Sequence, residues 1–234
     1  MVAGRLIGVG VGPGAPDLLT LRAARAIEAA RVLAYPTLAG APSMARGIAA
    51  AHVGAGVEEI AIDVPMTPAR EPAQRAYDEG AERIAGHLSA GRDVVCLCEG
   101  DPMFYGSFMY LQARLADRFA VEVVPGVTSV SAAAALARLP LGAREGRIAV
   151  LPGTLPDEAL RAGIAAHETV AVMKLGRHFG RVRALVDSLG LTDRATLVVR
   201  ATLDGEAVVP LSEAPEEAPY FSLLLIAKDT DPWL

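Results

Sequence analysis

Cysteine is nearly absent from this chain of 234 residues: two occur, Cys96 and Cys98. A pair so placed excludes the disulfide framework that holds small secreted domains together. A zinc site would need further ligands at metal spacing, and His52, His87, His167 and His178 offer none, so no metal is expected. Two apart in the apolar run 94–98, both thiols should face one side of a strand and belong to the core. Aromatics make up only 5%, which suits layered α/β packing better than an aromatic-rich β-sandwich. Long hydrophobic runs are missing too, far short of the roughly 20 residues that span a bilayer. The first residues carry an arginine and several glycines rather than the apolar stretch and cleavage site of a secretory signal. A cytoplasmic protein with no membrane partner is expected. Positive charge is also short: 22 Lys and Arg against 27 Asp and Glu leave a net −5, a field that repels nucleic acid. Any anionic ligand must then be held by local cations.

What is present is an alternation of short apolar runs and amphipathic stretches. Strands are expected at 6–11, 31–35 (stopped by Pro36), 60–64, 94–98 and 121–124. Helices are expected at 18–30, 43–51 with Ser43 as cap, 72–88 closed by Gly91, 108–115 and 129–139. Such alternation implies right-handed crossovers and a mainly parallel sheet. The small, polar stretch 141–146 interrupts the pattern, which then restarts. Strands at 148–151, 170–173, 196–199, 207–211 and 222–226 follow, with helices at 156–165 and 179–189. The last three strands lack intervening helices, which suggests hairpins and a mixed sheet. The fold class is therefore α/β in two domains, 1–142 and 143–234.

The loop Gly8-Val9-Gly10-Val11-Gly12-Pro13-Gly14-Ala15 invites two readings that fail on the residues they need. A phosphate-binding Walker loop requires Gly-Lys, and the chain contains no such pair. Gly10-x-Gly12-x-x-Ala15 matches the dinucleotide fingerprint, but the acidic residue that should follow about 20 positions on is missing, and Pro13 removes an N–H from the cradle. A plain structural turn remains the other possibility for this loop.

Gly10-Val-Gly12-Pro13-Gly14, Leu18-Leu19-Thr20, Gly100-Asp101-Pro102 with Tyr105-Gly106, and Pro125-Gly126-Val127-Thr128-Ser129 together resemble the tetrapyrrole (corrin/porphyrin) methylase family in order and spacing. Val172-Met173-Lys174-Leu175 and Ala201-Thr202 extend the resemblance through the second domain. Tyr35-Pro36, the run from Cys98 to Leu111 and Tyr220-Phe221-Ser222 are similar to the branch acting on precorrin-2 at C-20. The resemblance implies two α/β domains with S-adenosylmethionine in the cleft between them, a tetrapyrrole substrate, and a homodimer.

It also implies roles. Pro13 would shape the cleft floor, Glu99, Gly100 and Asp101 would lie against the cofactor, and Phe104 would flank it. Thr128 and Ser129 would hydrogen-bond it, and Met173 and Ala201 would contact the adenosine. Thr128 and Ser129 read equally as helix caps, and Met173 as strand core. Methyl transfer asks mainly for alignment, with one acid/base group for the departing proton. Asp101 is the first candidate for that group and Tyr105 and Tyr35 are weaker ones, although Asp101 also suits a Gly-Asp-Pro turn. Lys174 and Tyr35 are the candidates for holding substrate, and Lys174, Arg46 and Arg177 are the cations that could pair with the substrate's carboxylate arms. A cobalt-bearing substrate, methylation at another ring position, a dinucleotide oxidoreductase and a non-catalytic binding module are the alternatives.

Overall fold

Short apolar runs become strands, and in the first part of the chain β1 to β4 are each followed by a helix that packs on the sheet. The computed structural model describes residues 2–38, 41–65 and 69–228. The first part runs β1 (Leu6–Gly10), α1 (Leu21–Glu28), β2 (Val32–Leu38), α2 (Met44–Ile48), β3 (Glu58–Val64), α3 (Arg70–Ser89), β4 (Val94–Cys98), α4 (Phe108–Leu115) and β5 (Val121–Val124). Its five strands form an all-parallel sheet in the order β3-β2-β4-β1-β5. Alternate residues feed two cores. Leu6, Val94, Cys96 and Cys98 face α3 and α4, while Ile7, Val9, Val95 and Leu97 face α1 and α2. Thr20 caps α1 by accepting from the Ala23 N–H, and Ser43 caps α2 by accepting from that of Arg46.

β2 does not stop at Pro36 as expected but continues to Leu38, with Pro36 opposite Ile62 of β3. β4 pairs with β2 only at Leu33 and Ala34, so at Pro36 the other edge carries no ladder bond for the missing N–H to break.

The remaining elements are α5 (Ser129–Ala137), β6 (Ile148–Pro152), α6 (Asp157–Ala166), β7 (Thr169–Met173), α7 (Phe179–Ser188), β8 (Ala195–Val199), β9 (Ala207–Pro210) and β10 (Ser222–Ala227). They build a mixed sheet in the order β6-β7-β10-β8-β9. β8 and β9 form the expected hairpin, but β10 passes to the far side of β8 and pairs antiparallel with both β8 and β7. The chain divides into two compact units, Met1–Thr128 and Ser129–Leu234, ahead of the junction expected at Gly142. The reason is α5: its alanine-rich surface packs on β8 and β10, so it belongs with the second sheet. No described helix is long and apolar enough to cross a membrane.

Both thiols are buried, and burial pushes each above the ordinary cysteine range. The thiolate is the reactive form. A colorimetric thiol reagent near neutral pH is therefore expected to label neither cysteine in the folded protein and both after denaturation.

Candidate active site

β1 and β4 are neighbours, yet the chain leaves β1 for α1 on one face of the sheet and β4 for α4 on the other. Parallel sheets open a ligand crevice at the carboxyl ends of such strands. Here those ends are drawn together by main-chain atoms. The Val11 N–H donates to the Cys98 carbonyl (2.9 Å), the Gly12 N–H to Gly100 (3.2 Å), and the Gly100 N–H back to Gly12 (2.7 Å). Gly12 and Gly100 adopt φ of 80° and 65°, a conformation open to glycine, and the bridge between them is antiparallel although β1 and β4 run parallel. A Cβ on Gly10 would sit 2.6 Å from the Gly100 carbonyl oxygen, and one on Gly126 only 2.1 Å from it. The glycines of three loops thus touch through bare backbone.

Asp101 fastens this arrangement. Its Oδ1 accepts from the Met103 N–H at 2.9 Å and its Oδ2 from the Gly126 N–H at 3.0 Å, so both carboxylate oxygens tie backbone. That is the turn role weighed for it from sequence, extended to a second loop. Pro13 follows the bridge directly, and Phe104 lies half-buried with its ring edge-on to Tyr105 at 5.4 Å. Tyr105 is 42% exposed at φ 57°, a conformation uncommon for a bulky residue.

Glu99 is exposed as a residue, yet atoms crowd its carboxyl. Desolvation raises it above the usual carboxylate range, opposed by the Ala45 backbone N–H. A carboxyl raised in the folded state contributes stability at low pH that is lost as the pH rises through its folded value. Glu99→Gln is therefore expected to raise the melting temperature near pH 7 and to leave it nearly unchanged at about pH 4, measured by thermal scans at both.

Tyr35 is not an open hydroxyl. It donates to Glu59 Oε2 at 2.6 Å, and Glu59 also receives Arg46 through Nε (2.9 Å) and Nη2 (3.0 Å). The Arg46 hydrogen bond holds Glu59 below the ordinary carboxylate range, while burial and then Glu59 push Tyr35 above its own. Sequence reading missed Glu59 because β3 brings it beside Tyr35 only through strand pairing. Thr128 is half-buried beyond β5.

In the second unit, Ser129 opens α5. Met173 ends β7, and its carbonyl accepts from the Gly153 N–H at 2.6 Å. Lys174 follows, exposed at φ 56°, and Ala201 lies buried between Arg200 (φ 47°) and Thr202 (φ 65°). Left-handed backbone at three non-glycine positions is the kind of strain that collects at functional sites.

Taken together, the first unit presents a parallel sheet whose β1, β4 and β5 carboxyl ends meet through glycine backbone rather than through a phosphate cradle. The chain belongs to the tetrapyrrole (corrin/porphyrin) methylase family, whose model matches residues 5–215. It is 42% identical over 95% of both chains to a precorrin-2 C(20)-methyltransferase of Sinorhizobium. It is 32% identical to a cobalt-precorrin-2 C(20)-methyltransferase of Salmonella typhimurium, over 96% of this chain and 97% of that one. A Mycobacterium tuberculosis cobalamin biosynthesis protein, CobIJ, is 44% identical, and the chain spans 46% of its length. Among solved structures, the Thermus thermophilus uroporphyrin-III C-methyltransferase complexed with S-adenosylhomocysteine superposes with a TM-score of 0.69. The two are 29% identical over 96% of this chain and 92% of that one.

Proposed function

We propose that this chain transfers a methyl group from S-adenosylmethionine to C-20 of precorrin-2, giving precorrin-3A on the route to cobalamin. The observation that carries the reading is the 42% identity, over 95% of both chains, to the Sinorhizobium precorrin-2 C(20)-methyltransferase. The strand-end geometry supports it against a dinucleotide oxidoreductase, because the Gly12 N–H that would face a pyrophosphate is already bonded to Gly100. It also fits the cofactor: a positively charged sulfur near Glu99 would ease the ionisation that crowding disfavours. When bound, the sulfonium supplies a methyl whose S–C bond breaks as a C–C bond forms at the electron-rich meso carbon.

The chain's part is to hold and align. We assign Pro13, Glu99, Gly100, Asp101, Phe104, Thr128, Ser129, Met173 and Ala201 to the cofactor, and Lys174 with Tyr35 to the substrate. Lys174 takes a carboxylate arm. Tyr35, braced by Glu59, presents its ring and accepts with its hydroxyl oxygen. Asp101 serves as a positioning residue, since both its oxygens hold backbone, and Tyr105 is the candidate for moving the proton. The enzyme works in the cytoplasm as a homodimer. Incubation with precorrin-2 and isotopically labelled methyl donor tests the reading: one labelled methyl at C-20 supports it, and unchanged pigment contradicts it. A parallel incubation with the cobalt-bearing factor examines the second reading, which the Salmonella relative favours.

A further inference from the structure

β6 runs parallel to β7, and β7 and β8 both pair antiparallel with β10, so the carboxyl ends of β6, β7 and β8 share one edge of the second sheet with the amino end of β10. Ser222 stands opposite Val199, the last residue of β8, and Leu224 opposite Val172, one before the last of β7. Tyr220 and Phe221, which the sequence resemblance leaves without a role, therefore emerge where β7 leads into Lys174 and β8 into Arg200. Ligands gather at such strand ends.

Consecutive residues of a strand point to opposite faces. Here the Ser222 N–H donates to the Tyr220 carbonyl at 3.0 Å, a three-residue turn that folds the chain at Phe221. The two rings then meet edge to face, centroids 5.2 Å apart and planes at 81°. The Arg200 N–H holds the Phe221 carbonyl at 2.7 Å, while the Arg200 side chain turns back to the Asp204 carbonyl of its own loop. A Cβ on Gly176 would lie 3.8 Å from both Cα and Cδ2 of Tyr220, so this ring rests beside the backbone of the loop 174–178. Main chain at two strand ends thus seats the pair, yet Tyr220 is 55% and Phe221 47% exposed. Scattered apolar side chains in water are ordinary, but two rings locked together make a surface. The loop 174–178 sets exposed Lys174 and Arg177 beside it and carries no carboxylate, in a chain of net charge −5. Aromatic faces flanked by cations suit a flat ring system with several carboxylate arms better than a nucleoside with one.

We propose that Tyr220 and Phe221 form an aromatic shelf against which the tetrapyrrole macrocycle lies, with Arg177 beside it pairing with a carboxylate arm. The inference rests on the methylase reading above. Wild-type turnover of precorrin-2 is measured first, and its absence overturns that reading before any variant is made. Tyr220→Leu and Phe221→Leu keep apolar bulk at exposed positions. Each is expected to raise the tetrapyrrole KM about fivefold, with kcat, melting temperature and calorimetric affinity for S-adenosylhomocysteine unchanged. Tyr220→Phe, which keeps the ring, is expected to behave as wild type. Arg177→Ala should raise the KM by a similar factor at low salt and little at high salt, where an ion pair is screened. An unchanged tetrapyrrole KM in both leucine variants, or in Arg177→Ala at low salt, overturns the proposal. So does a weakened S-adenosylhomocysteine affinity with that KM unchanged, which would give the rings to the nucleoside. A changed molar mass in sedimentation with KM unchanged also overturns it, making the rings a contact between copies of the chain.

Discussion

Gly126→Ala is expected to lower stability by about 3 kcal/mol or more, enough to unfold a marginal domain. The new Cβ would lie 2.1 Å from the Gly100 carbonyl oxygen and 2.9 Å from Gly10 backbone atoms, and no side chain stands between that could rotate away. Relief would require β1, β4 and β5 to part at their carboxyl ends, breaking the bridge between Gly12 and Gly100 and drawing the Gly126 N–H off Asp101. Gly47→Ala is the matched control. That glycine sits in α2 with nothing within 4 Å of the added methyl, and helix propensity alone should raise stability by about 0.5–1 kcal/mol. Urea denaturation of the two variants reads both numbers. A Gly126→Ala protein as stable as wild type would mean that the loops do not pack through their backbones.

Asp101→Ala is expected to reduce turnover about a hundredfold while stability falls by only about 1–3 kcal/mol, the loss set by two N–H groups left without acceptors. Asp101→Asn separates the two roles open to this carboxylate. A tie to Met103 and Gly126 survives in part, because the amide oxygen still accepts from one of them. Asparagine should then fall between alanine and wild type in steady-state rate. Were Asp101 the base, asparagine would be as inactive as alanine, since neither can take a proton.

Much of the fold was legible because β1, β4 and β10 are buried throughout and read as short apolar runs. β4, β5 and α4 fall at the expected residues, and Cys96 and Cys98 lie in the core as their spacing required. What was not legible depends on pairing across the sheet. Pro36 was expected to end β2, because nothing local reveals that β4 leaves that edge unpaired. The division before α5 depends on which sheet its alanines cover, which helical spacing does not specify. The site shows the same limit. Gly10, Gly12, Gly100 and Gly126 stand out as glycines, but that three loops meet at one point follows only from the strand order. Asp101 was visible as a turn residue, whereas its hold on Gly126 and Glu59's hold on Tyr35 join distant parts of the chain.

The central claim is that the backbone-lined end of β1, β4 and β5 receives the sulfonium nucleoside. Titrating the isotopically labelled protein with S-adenosylhomocysteine while following its amide resonances tests this most directly. The account predicts saturable shifts at Gly12, Gly100 and Gly126 and none with NADH; shifts confined to other residues, or a response to NADH alone, would contradict it.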